Sequence, residues 1–204
     1  MFQYFFYRLA NISVKLRIYI NKAVLYISST TLRKNKKINF DINSIVPYQK
    51  IELYKLGGNY IIGKKVQFGY NIGGRYKNGY CELQARNFNS LIYIGDYTAI
   101  NNNFLAISTK KITIGAHCRI GINCQILDSD FHDINPLTRN LPGEAKEVVI
   151  EDNVWFGNNV IILKGVHIGE NSIIGAGAVV ISDIPANMIA GGIPCKVIRH
   201  IFFK

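Results

Sequence analysis

Residues 150–180 read IEDNVWFGNNVIILKGVHIGENSIIGAGAVV, and every sixth position is large and apolar: Ile150, Phe156, Ile162, Ile168, Ile174 and Val180. Four residues after each stands Val154, Val160, Val166, Ser172, Ala178 or Ile184, all small or β-branched. A period of six matches neither the 3.6-residue repeat of a helix nor the two-residue repeat of a strand. It matches a solenoid whose coil has three short flat faces, one hexapeptide each, with one aliphatic side chain per face turned inward. Three hexapeptides close a coil, which predicts that Ile150 stacks on Ile168, Phe156 on Ile174 and Ile162 on Val180. The residue after the aliphatic (Glu151, Gly157, Gly169, Gly175) is expected at the tight corner. The same register reaches back through Ile114, Ile120 and Ile126, with Cys118 and Cys124 at the second inward position. Further upstream it continues out of phase through Ile62, Val66, Phe68 and Ile72, then Ile94, Thr98 and Ile100.

The whole chain of 204 residues is 49% hydrophobic and 18% charged, too apolar for a disordered polymer. Its net charge of +11 is uneven: residues 1–55 hold ten Lys and Arg against Asp41 and Glu52, a balance of +8 that leaves +3 for the remainder. A nucleic-acid partner would have to rest on that segment alone, and none is expected. Cys81, Cys118, Cys124 and Cys195 form no CxxC pair or secreted framework and read as reduced thiols of a cytoplasmic protein. The start has no positive region ahead of its apolar run, so no secretory signal is expected. Arg8, Lys15, Arg17 and Lys22 interrupt what could otherwise be a membrane span. Leu9, Ile12, Leu16, Ile20, Val24 and Ile27 recur at helical spacing. Residues 1–55 therefore read as a basic, aromatic helical cap on the first coil, with peripheral membrane contact through residues 1–40 as the alternative. The β-helix is expected over residues 56–190 and a closing segment over 191–204.

These consecutive hexapeptides resemble the hexapeptide-repeat acyltransferases, which form a left-handed parallel β-helix and usually trimerise. The resemblance runs from about Ile62 to Arg199. Over its C-terminal part, closing with IPCKVIR at residues 193–199, it is similar to galactoside and maltose O-acetyltransferases and to bacterial capsule and lipopolysaccharide O-acetyltransferases. It implies a mainly β fold, acetyl-CoA as co-substrate, a homotrimer with active sites between subunits, and acetyl transfer to a sugar or surface-glycan hydroxyl. An amino-sugar N-acetyltransferase would share the same fold and base, and a non-catalytic solenoid scaffold is a third reading.

Two departures from the period are candidate functional loops, residues 74–90 and 127–149. The second returns in phase, since Ile126 and Ile150 are four hexads apart, as expected of a loop that projects without disturbing the stack. It opens Asp128-Ser129-Asp130-Phe131-His132-Asp133. Acyl transfer to a hydroxyl needs a base for the proton and an acid for the leaving thiolate, and His132 suits both roles. The resemblance aligns it with the family's catalytic histidine. Asp130, Asp133 or a backbone carbonyl could orient it, while Asp128 could face the acceptor together with Arg75 of the first loop. Asn101 matches an asparagine near the reacting carbonyl, although Asn102 or Asn103 could substitute and a corner role is equally open.

By the same resemblance Trp155, Gly157, Asn158, Ala176 and Gly177 flank the coenzyme arm, and Lys196 and Arg199 meet its phosphates. Ser182 stands beside Ile181 where relatives often carry Thr-Lys, which puts that contact in doubt. His117, His167 and His200 read as solvated side chains. No zinc spacing is present, so no metal is expected.

Overall fold

The computed structural model describes residues 14–26, 38–54, 57–71 and 79–202. The chain winds into a left-handed parallel β-helix with three faces. The first face stacks Ile38–Asn39, Asn59–Ile62, Leu91–Ile94, Lys111–Ile114, Val148–Ile150 and His167–Ile168. The second stacks Val46–Pro47, Gln67–Phe68, Ala99–Ile100, Arg119–Ile120, Trp155–Phe156, Ile173–Ile174, Met188–Gly191 and Lys196–His200. The third stacks Lys50–Leu53, Tyr80–Ala85, Leu105–Ser108, Gln125–Leu127, Ile161–Ile162 and Val179–Val180. All pairings are parallel except the last on the second face, where Lys196–His200 folds back antiparallel and closes the stack.

The predicted register is observed: Ile150 pairs with Ile168, Phe156 with Ile174 and Ile162 with Val180. Each inward residue is buried, and Cys118 and Cys124 fill the second inward positions as expected. All four cysteines are free and buried; burial pushes the Cys81 thiol up to about 12 and those of Cys118 and Cys124 to about 11, leaving them unreactive. The corner chemistry differs from expectation. The left-handed backbone lies three residues after the aliphatic, at Asn153, Asn159, Gly165, Asn171 and Gly177, not one residue after. The glycine directly after the aliphatic answers to crowding instead: a Cβ on Gly115 would strike Asp152, and one on Gly157 would strike the Ala176 backbone at 2.6 Å.

The solenoid begins earlier than residue 56. Strands at 38–39, 46–47 and 50–53 already form its first coil, with Ile45 and Ile51 buried. Irregular spacing between these inward residues hides that coil from a search for period six. Residues 14–26 form a helix that sits on the first coil through buried Leu25, the Asn21 amide donating to the Pro47 carbonyl (3.0 Å) and Lys22 to that of Asn43 (3.1 Å). This is the cap a solenoid end needs. The remainder of the proposed membrane-contact segment, residues 1–13 and 27–37, lies outside the described residues. No described helix is long and apolar enough to cross a membrane. The first expected loop, 74–90, is shorter than proposed: Tyr80–Ala85 is a strand paired with Lys50–Leu53 and Leu105–Ser108. Arg75 lies outside the described residues.

The second loop is a hairpin that leaves and rejoins the stack at one level. Lys146 N donates to Asp128 O, Asp130 N to Glu144 O and Asp133 N to Leu141 O, with an antiparallel bridge from Ser129 to Ala145. Its two arms therefore end side by side, which explains the in-phase return. Lys164 of the next coil clamps both arms by pairing with Asp130 at 2.7 Å and Glu144 at 2.6 Å. Asp128 faces inward rather than toward an acceptor. It is fully buried and accepts hydrogen bonds from Ser108 Oγ and from the Thr109 and Lys110 amides, which holds the corner of the coil below. Asp133 accepts from Thr138 Oγ1 (2.6 Å) and Asn135 N (3.0 Å), tying the tip of the hairpin.

Two outcomes are expected from this construction. Phe156→Ala leaves a void between stacked coils and should cost about 3–5 kcal/mol in urea unfolding followed by circular dichroism; a loss below 1 kcal/mol would contradict the stacking. Asp133 is held below the usual carboxylate range by the Thr138 hydroxyl and Asn135 amide, and Glu144 chiefly by Lys164. Their contribution is complete at neutral pH and is lost as the pH falls through these lowered values. Hydrogen exchange, corrected for intrinsic rates, should show residues 128–147 losing protection below about pH 4 while the coils keep theirs.

Candidate active site

His132 stands at the exposed tip of the hairpin. Its Nδ1 lies 3.0 Å from the backbone carbonyl of Arg139. A carbonyl can only accept, so Nδ1 carries a proton, and in the neutral imidazole the lone pair is on Nε2. The orienting group is thus a backbone carbonyl. Neither Asp130, engaged by Lys164, nor Asp133, engaged by Thr138 and Asn135, performs that role. The backbone under the imidazole is tightly set, because any side chain at Gly143 would strike the His132 carbonyl.

The second face carries a separate feature, an open groove of about 750 Å³. Trp155, Gly157, Asn158, Ala176 and Asn101 all line it. Trp155 is 54% exposed, as its position beside inward Phe156 predicts. Asn158 spends its Oδ1 on the Ile122 amide (3.0 Å), fixing the wall of the groove. The three neighbouring asparagines separate cleanly. Asn102 is fully buried and bonded to both backbone groups of Tyr70. Asn103 adopts the left-handed corner (φ 62°) and joins an amide ladder through Asn123 to Asn159. Asn101 alone of the three reaches the groove; its Oδ1 accepts from Asn102 N, and its Nδ2 has no partner among the described residues.

Gly177 occupies the left-handed corner next to the groove, with nothing near enough to oppose a Cβ. Ser182, Lys196 and Arg199 are exposed and do not line the groove. Lys196 and Arg199 belong to the closing strand of the same face, and one line of paired residues runs Trp155, Ile173, Ile189, Arg199. At about 4.8 Å per strand, the basic end lies roughly 14 Å from the tryptophan. Among the described residues no cluster of His, Cys, Asp or Glu could hold a metal.

His132 does not line this groove. Its hairpin springs from the edge of the third face, whereas Trp155 and Asn101 project from the second. The sequence analysis also missed groove residues, namely Lys65, Tyr97, His117 and Arg119. Their signal was the stacking order of the outward positions, obscured by the irregular lengths of the lower coils.

The model for the bacterial transferase hexapeptide (six repeats) matches residues 147–182. The galactoside O-acetyltransferase of Lactococcus lactis is 41% identical over 111 residues, which cover 54% of this chain and 53% of the relative. A hexapeptide-repeat acetyltransferase structure from Vibrio cholerae shares 38% identity with a TM-score of 0.53, over 55% of this chain and 64% of that one. A polySia-specific acetyltransferase structure shares 27% identity with a TM-score of 0.63, over 78% of this chain and 65% of that one. The chain spans between about a third and three fifths of the length of the curated relatives it matches. By its six-residue period and three-faced coil the chain carries the bacterial transferase hexapeptide over residues 147–182, and over parts of their length it is similar to galactoside and polySia acetyltransferases.

Proposed function

We propose that this protein is an acetyl-CoA-dependent O-acetyltransferase acting on a hydroxyl of a sugar or surface-glycan precursor. The observation that carries the reading is His132, whose Nδ1–H is committed to the Arg139 carbonyl so that Nε2 is the basic nitrogen. Nε2 removes the acceptor's hydroxyl proton as that oxygen attacks the thioester carbonyl, and the resulting imidazolium returns the proton to the departing thiolate. The Nδ2 of Asn101, unpartnered among the described residues, suits the oxygen on which charge develops. Trp155, Gly157, Asn158, Ala176 and Gly177 offer the pantetheine arm an apolar wall and close backbone approach, while Lys196 and Arg199, with Ser182 nearby, suit the phosphates. Acetyl-CoA supplies the activated acyl group.

One chain alone separates the base from the groove. The reading therefore includes a homotrimer in which His132 of one subunit faces the Trp155 groove of its neighbour. Galactoside and polySia acetyltransferases among the similar proteins support a saccharide acceptor.

Coenzyme A release measured over a panel of sugars, amino-sugar nucleotides and glycans tests the proposal and separates hydroxyl from amine acceptors. His132→Ala should lower kcat at least about a hundredfold with its circular dichroism unchanged, and an unimpaired variant would reject His132 as the base. The double variant Lys196→Ala/Arg199→Ala should raise KM for acetyl-CoA about tenfold or more with little change in kcat; an unchanged KM would remove these residues from coenzyme binding.

A further inference from the structure

The groove extends past Trp155 toward the N-terminal coils, and its lining there changes character. Above the first coil, whose corner is the short 3-10 helix Ile42–Ser44, the corner between the first and second faces is left-handed in each coil from Lys65 to Asn187. In the C-terminal coils that position is Asn153, Asn171 and Asn187, whose amides bond in a ladder at 2.9 Å per step. Asparagine tolerates positive φ, so those corners need no further explanation. The equivalent positions of the second, third and fourth coils are Lys65 (φ 54°), Tyr97 (φ 59°) and His117 (φ 58°), their equivalence shown by the same backbone bonds from coil to coil. Lysine and tyrosine gain nothing from this backbone, and rule-breaking residues of this kind gather at functional sites.

Their side chains are organised. The Tyr97 and His117 rings stack in parallel, 5.2 Å between centroids and 1° between planes, and Lys65 Nζ lies 5.3 Å from the Tyr97 ring centre. Beside them Arg119 Nη1 donates to the carbonyls of Tyr97 (3.0 Å), Cys118 (3.0 Å) and His117 (3.3 Å). Those bonds fix the guanidinium and leave Nε and Nη2 without a partner among the described residues. The groove lining contains no Asp or Glu, and neither Lys65 nor Arg119 has an ion pair among the described residues. The carboxylates of this corner, Asp96 and Asp152, are occupied by the amides of Lys64 and Ala116.

We infer that this lower half of the groove is an acceptor subsite for a negatively charged saccharide, carrying a carboxylate or a phosphate. Its Tyr97–His117 stack lines the groove beside the cations, and Arg119 and Lys65 take the charge. Coenzyme phosphates do not account for these cations. Arg119, Trp155, Ile173, Ile189 and Arg199 lie in one line of strand pairs, so Arg119 stands four strands, about 19 Å, from the basic closing strand on the other side of the tryptophan. The inference rests on the acetyl-transfer reading for its word acceptor, but the binding itself does not.

Trp155 is the only tryptophan and lies in the groove, so its fluorescence reports binding without turnover. Titration with glucose, glucuronate and glucose 1-phosphate, which share one ring and differ in charge, should give at least tenfold tighter binding for one or both anionic sugars. Whichever of the two binds identifies carboxylate or phosphate as the group recognised. Arg119→Leu and Lys65→Gln, both at exposed positions, should each bring the charged sugars to within about twofold of glucose while leaving the KM for acetyl-CoA unchanged. Equal binding of all three sugars, or a loss of acetyl-CoA affinity in Arg119→Leu in place of the sugar effect, would overturn the inference. Anion-selective quenching with no coenzyme A release from any acceptor would uphold the subsite and overturn acetyl transfer, whereas turnover of neutral sugars without charge preference would do the reverse.

Discussion

The hydrogen bond from each coil to the next is the interaction on which the rest of this molecule depends. Along the second face Asn101 N donates to Ile120 O, Gly121 N to Phe156 O, Gly157 N to Ile174 O and Gly175 N to Ala190 O. A buried backbone group left unpaired is costly, so each coil must match the height and outline of the one beneath it. That demand places one aliphatic side chain inward per face and gives the six-residue period. It also explains why a hairpin can leave the stack only if both of its arms return to one level, as Asp128 and Lys146 do.

A stack bonded in this way is open at both ends, and the chain covers each differently. Residues 14–26 lie as a helix on the first coil, anchored by Leu25, whereas Lys196–His200 turns back antiparallel on the second face. The second closure carries the basic residues Lys196 and Arg199 onto the strand line that already holds Arg119 and Trp155. Structural closure and the exposed basic side chains thus share one sheet. The hairpin divides its residues in the same economical manner. Asp128, Asp130 and Asp133 each hold a piece of backbone or a lysine, and the imidazole they surround is oriented by a main-chain carbonyl instead.

Much of this was legible in the residues. The inward positions from Ile114 to Ile184, the stacking partners, the outward Trp155 and the in-phase excursion around His132 follow from spacing alone, because the packed interior tolerates only one register. The outward positions were harder to read. Asp130 and Asp133 beside a histidine suggest an orienting carboxylate, yet Lys164, Thr138 and Asn135 reach them first. Asn101, Asn102 and Asn103 are equivalent as letters; only the fold sends one to the groove, one into the core and one to the corner. The alignment of outward residues in the lower coils escaped notice because the steps from Lys65 to Tyr97 and from Tyr97 to His117 are unequal and longer than three hexads, so no fixed offset matches them.

The sequence by itself determined the coil, its three faces and the identity of the residues that stack inside, since a repeating apolar position in a close-packed interior admits one winding. The tertiary structure decided which outward side chains become neighbours: Lys65, Tyr97, His117 and Arg119 in one patch, and His132 on a different face from Trp155. Outward residues are chosen by no packing rule. Their company depends on how many residues each coil spends between corners, and that is visible only once the coils are stacked.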